Sequence, residues 1–191
     1  MRLQLSALLL IVCSACGAAA AQPATTRNHV TTLVRQVHES QIVDGVPCLR
    51  DELPVQHLHI HLEIWLDGKR VTVPAGVGVG RPWGTDQTGF ISTGSCFAWI
   101  HTHDTTGVVH VFTQVGKSDT LGQVFSVWGQ PLTERGALGY SGDLAVLVNG
   151  RSMTGDPRLV PLKNLENIVL ELGTPPSPPP GALYDFGTMR R

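Results

Sequence analysis

Charge is scarce in this chain and evenly split, with 14 Lys and Arg against 15 Asp and Glu. With no basic excess and no Lys/Arg cluster, it lacks the electrostatic footprint of a nucleic-acid binder or of a protein drawn to an anionic membrane surface. Cysteine is also sparse. Of four residues, Cys13 and Cys16 lie near the N-terminus, leaving Cys48 and Cys96. Cys48 and Cys96 stand far apart and form no Cys-x-x-Cys pair, and the one such spacing, Cys13-Ser14-Ala15-Cys16, falls in the N-terminal apolar segment, which argues against a zinc ribbon and a thioredoxin-like redox motif in the domain. Apolar runs are short. Leu5 to Val12, interrupted only by Ser6, falls far below the ~20 residues that span a bilayer, so no transmembrane helix is expected. No Gly-x-Ser-x-Gly element marks a serine hydrolase. The glycines of Gly76-Val77-Gly78-Val79-Gly80 lack the Gly-Lys-Ser/Thr ending of a phosphate loop and read as a plain loop.

What is present begins with a leader. Arg2, the short apolar run and Ala18-Ala19-Ala20-Ala21 before Gln22 form the basic start, apolar centre and small-residue exit of a signal sequence over residues 1–21. Ser14-Ala15-Cys16 also fits a lipoprotein site, which would leave a lipid anchor on Cys16. The protein is therefore expected to be exported, to the periplasm or the outside, free or membrane-anchored. In that compartment Cys48 and Cys96 are expected to form a disulfide. Residues 22–41 read as a polar linker, 42–173 as one globular domain and 174–191 as a Pro-rich tail. Tyr184 and Phe186 in that tail are available to dock on the body.

Within the domain, Leu58, Ile60, Leu62, Ile64 and Leu66 alternate with other residues, the period of a half-buried strand. Asp67-Gly68 is a preferred hairpin turn. It would pair Leu66 with Lys69, Ile64 with Val71 and Leu62 with Val73. A second hairpin over Cys96–Val115, turning at Asp104-Thr105-Thr106-Gly107, would pair Trp99 with Phe112, His101 with His110 and His103 with Val108. Thr120 and Gln123 form a capping box. Leu121, Val124, Phe125 and Trp128 follow at helical spacing, and Gly129 ends the helix. Leu144–Val148 and Asn167–Leu172 read as the closing strands. The expected fold is α+β: a mixed β-sheet of two hairpins plus two C-terminal strands, with one packed helix, similar to the β-grasp.

Six of the eight histidines fall in the two hairpins. His57, His59 and His61 occupy alternate positions, so their imidazoles form a row on the face away from the core, continued by Glu63 and Trp65. His101, His103 and Asp104 form a second group, to which the hairpin register adds His110. Neutral imidazole is the usual nitrogen ligand for zinc and also suits copper. The expected ligand set is His57, His59, His61, His101, His103 and His110, with Asp104 or Glu63 as oxygen ligands. Its centre is expected at the mid-strand residues His59, His61, His101 and His103. Imidazole without thiolate or thioether favours Cu(II) or Zn(II) over Cu(I).

The segments His57-Leu58-His59-Ile60-His61-Leu62-Glu63-Ile64, Trp99-Ile100-His101-Thr102-His103-Asp104 and Thr120-Leu121-Gly122-Gln123-Val124-Phe125 resemble those of a family of exported microbial proteins with no settled activity. The resemblance covers most of residues 56–172 and implies export without implying a reaction. Cupins also carry a His-x-His motif followed by Glu, but Glu63 follows His61 too closely for that pattern. Three functions remain in order: an exported His-rich domain that binds or handles copper or zinc; a zinc-dependent hydrolase or hydratase using a His-ligated water; and a β-grasp-like interaction module whose histidines are incidental.

Overall fold

The computed structural model describes residues 30–50, 56–177 and 183–190. The leader expected over residues 1–21 lies outside the described residues. The architecture is α+β: a mixed sheet with one α-helix packed on its apolar face.

Strand β1, Gln56–Leu66, is the spine. Its Ile60, Leu62 and Ile64 are fully buried, as the alternation of apolar residues requires. Asp67 and Gly68 both adopt positive φ, 47° and 74°, which suits the right-handed twist of a tight hairpin. They return the chain as β2, Lys69–Val71, with Leu66 opposite Lys69 and Ile64 opposite Val71. The expected pairing of Leu62 with Val73 is not made. Below Ile64 the same edge of β1 is taken by another strand, and the Leu62 N–H is bonded by the Gly107 carbonyl at 2.8 Å.

That other strand comes from the second hairpin: β3, Ile100–His101, and β4, Val108–Thr113. His101 lies opposite His110. The expected pairing of His103 with Val108 is absent, because the chain leaves the sheet after His101. Thr102 bonds the Gly76–Val77 loop on both its N–H and C=O sides, and the His103 carbonyl accepts from Ile91 N–H at 3.0 Å. β4 then pairs antiparallel with β1, from Gln56 opposite Thr113 to His61 opposite Val108.

Helix α1, Leu121–Trp128, starts at Thr120, whose N–H donates to Gln123 Oε1 at 2.9 Å. It stops at Gly129, whose φ of 81° places it in the left-handed region. Leu121, Val124, Phe125, Val127 and Trp128 are buried in one cluster with Ile60, Leu62 and Ile64 of β1, and Leu58 and Leu66 pack against it. After α1 come β5, Leu144–Val148, β6, Arg151–Met153, and β7, Glu166–Leu172. The sheet runs β6-β5-β7-β1-β4-β3, with β2 on β1 beyond the end of β4. The last strand β7 lies parallel to β1, with Asn167 opposite His61.

Two flanking features hold the histidine-bearing face in place. A small sheet pairs Ile42–Val43 with Val46–Leu49, and the latter with Phe97–Ala98. The Cys48–Cys96 disulfide closes beside it with a Cα separation of 5.5 Å. At the other end of the chain, Tyr184 N–H donates to Asn167 Oδ1 at 2.7 Å and Phe186 is buried. Residues 30–41 also touch the body: Gln130 Nε2 donates to the Leu33 carbonyl at 2.5 Å, and Val37 is buried. Among the described residues no helix is long and apolar enough to cross a membrane.

Candidate metal centre

Side chains on a strand alternate between faces, and antiparallel partners point the same way. With Ile60 and Leu62 in the core, His57, His59 and His61 are left on the opposite face. The register then lays His59, His110 and His101 side by side across β1, β4 and β3. The His59 and His110 rings are 4.7 Å apart by centroid, and those of His101 and His110 are 5.4 Å apart. His57 joins one residue pair along β1, 4.4 Å from His59. His103 reaches back from the loop, 4.7 Å from His101 and 4.6 Å from His110. Two trios result, each with ligating atoms mutually within 4.8 Å: His57, His59 and His110, and His101, His103 and His110.

The hydrogen bonds at the second trio determine which nitrogens are available. His101 Nδ1 lies 2.7 Å from the Ala98 carbonyl, and His103 Nδ1 lies 2.5 Å from the Ile91 carbonyl. A carbonyl only accepts, so both Nδ1 atoms carry the proton, and each neutral ring presents a lone pair at Nε2. Those two Nε2 atoms face each other at 3.0 Å. Two lone pairs at that distance repel unless a shared proton or a metal ion lies between them. Ligands on one ion at about 2.0–2.1 Å sit roughly 3 Å apart when neighbouring, so the pair already has the spacing of a chelate. Backbone carbonyls behind ligating imidazoles are also the usual outer support of a metal site, because they fix tautomer and ring orientation.

His57, His59, His101 and His110 are held toward the neutral form that a ligand needs. His101 is 0% exposed, and burial, then the neighbouring His103, pushes its pKa down to about 3. Burial and the charges of His101 and His103 push His110 down to about 2. Burial, then His59, lowers His57 to about 4. His59 is lowered too, chiefly by burial.

The remaining expected ligands lie elsewhere. His61 shares the face, but its ring stacks under Tyr184 at 4.3 Å and its Nε2 lies 3.0 Å from the Thr106 carbonyl. Burial is the main cause of its lowered pKa. Glu63 faces Arg70, 3.8 Å away. Asp104 Oδ1 accepts from the N–H and hydroxyl of Thr106, at 2.9 and 2.5 Å, and so shapes the turn. Neither carboxylate belongs to a trio.

Sequence reasoning did not reach the aromatic walls. Phe112 stacks on His57 and Phe90 on His103, both at 4.2 Å, and Phe97 lies 5.4 Å from His101. Phe112 had a signal, since it alternates with His110 on β4. Phe90 and the Ile91 carbonyl sit on a loop hairpin, Gly84–Thr85 with Ile91–Thr93, and have none. Outside the rings an open cleft of about 590 Å³ is lined by Arg50, His57, Phe90, Ser92, Phe97, His103 and His110. Comparisons with protein families, with curated proteins and with solved structures find no match for this chain.

Proposed function

We propose that this is an exported metal-binding protein that holds Cu(II) or Zn(II) on His101, His103 and His110, with His57 and His59 flanking, and that it serves to bind and hand on the ion. The observation that carries the reading is the pair of Nε2 lone pairs facing each other at 3.0 Å, each ring locked by a carbonyl behind it. An all-nitrogen set without thiolate supports the two divalent ions over Cu(I). Export is supported by the leader pattern and by the disulfide, and agrees with the family resemblance of the histidine segments. The parallel neighbours β1 and β7, with α1 between them in the chain, support the β-grasp-like reading of the architecture. That likeness carries no function by itself.

The test is calorimetric titration of Cu(II) and of Zn(II) into chelator-stripped protein, repeated with His101→Ala/His103→Ala. Wild-type protein should bind one of the ions at least tenfold more tightly than the double variant. Equal binding, or none, would refute the reading and leave the interaction-module alternative. The hydrolase alternative draws on the cleft, which opens onto His57, His103 and His110 and would admit a metal-bound water. It is placed second because Glu63 and Asp104, the general bases it would use, are engaged with Arg70 and Thr106.

A further inference from the structure

A divalent ion on neutral imidazoles keeps its full charge. No carboxylate is among the residues that line the cleft over the trio, as far as the described residues go. The guanidinium among these residues, Arg50, is paired with Glu39, at 2.6 and 3.1 Å. A dication beside the fully buried His101 ring would therefore stand partly desolvated, with no carboxylate among the described lining residues to offset it, a costly state. An anion entering as the next ligand would remove the cost.

The shape of the opening narrows the class of anion. At about 590 Å³ the cleft greatly exceeds the ~30 Å³ that a water takes in the liquid. Two of its walls are phenyl rings, Phe90 and Phe97, and Ser92 adds a hydroxyl. Aromatic walls favour a flat apolar body by offset or edge-on stacking.

Building on the metal-binding reading, we propose that the loaded protein is a receptor for small aromatic carboxylates: the carboxylate completes the coordination of the ion and the ring packs against Phe90 and Phe97. The carboxylate supplies the negative charge that none of the described lining residues supplies. Ser92 offers a hydroxyl donor to its second oxygen. No bond is made or broken in the ligand, so the site acts as a receptor and the ion as its anchor.

The experiment uses the exported protein loaded with Cu(II), or with Co(II) standing in for Zn(II), and follows the visible d–d band. Benzoate, acetate and the neutral isostere benzamide are titrated in turn. Benzoate should move the band saturably at a concentration roughly tenfold below that of acetate, the ratio set by ring stacking and burial. Benzamide should leave the band in place. Phe97→Ala should keep the metal stoichiometry and bring benzoate and acetate to within about twofold of each other. If that variant does not fold, the wild-type series decides alone. A band that ignores benzoate, or that responds to it no more strongly than to acetate, would overturn this proposal while leaving metal binding intact. Failure to take up either ion would overturn both.

Discussion

Acid should destabilise the metal-free protein from about pH 6.5 downward, and His101 sets a minimum for the effect. Its ring is 0% exposed, and its pKa is lowered to about 3 in the fold against about 6.5 in an unfolded chain. The unfolded state therefore binds the extra proton, and stability must fall as pH drops below about 6.5, continuing to about 3. Between pH 7.5 and pH 5 this one ring removes about 2 kcal/mol, at ~1.4 kcal/mol per pH unit below 6.5. His110, pushed down to about 2 by burial and its neighbours, acts in the same direction. A bound ion opposes the loss, contributing about 2.7 kcal/mol at a hundredfold excess over Kd. The assay is urea unfolding of chelator-stripped protein at the two pH values, for wild type and His101→Gln, which cannot take the proton. The glutamine variant should lose about 2 kcal/mol of the pH dependence, whatever its absolute stability. Equal pH dependence in the two proteins, or a wild type that gains stability in acid, would refute the placement of a neutral His101 in the core of the site.

His61→Ala and Glu63→Gln should each leave Cu(II) and Zn(II) affinity within about twofold of wild type by calorimetry, because neither side chain belongs to a trio; a tenfold loss would return them to the ligand set. Gly107→Ala should cost about 1–3 kcal/mol in thermal or denaturant unfolding, since φ is +91° and a Cβ would stand 2.5 Å from the Leu62 carbonyl oxygen; an unchanged midpoint would contradict that packing. Replacing Cys48 and Cys96 together by Ala should cost about 4 kcal/mol by the chain-entropy relation for a loop of sequence separation 48. Thiol labelling of unfolded, unreduced wild type should find neither cysteine free.

What could be read from the chain alone was set by residues close together in it. The period of two in Leu58–Leu66 assigns His57, His59 and His61 to one face before any partner strand is known, because alternation is a property of the extended backbone itself. Asp67-Gly68 and the Thr120/Gln123 box likewise act within a few residues, and the turn and helix start stand where those residues stand. The cysteine pairing followed from Cys48 and Cys96 being the two cysteines outside the expected leader of a chain read as exported.

The selection among the histidines was decided only by tertiary structure. His61 and His59 are equivalent by alternation, yet Tyr184, more than 120 positions along the chain from His61, stacks over His61, while β4 brings His110 against His59. His103 belongs with His101 because Thr102 and His103 bond to the loops at Gly76–Val77 and Ile91 and leave the strand, which cancels the expected partner Val108. The feature that gives the site its chemistry is carried by the carbonyls of Ala98 and Ile91. Every residue has a carbonyl, so no side-chain pattern announces which ones will lie behind an imidazole. Their position is fixed by long-range packing of the sheet and its loops, and through it the direction in which each lone pair points.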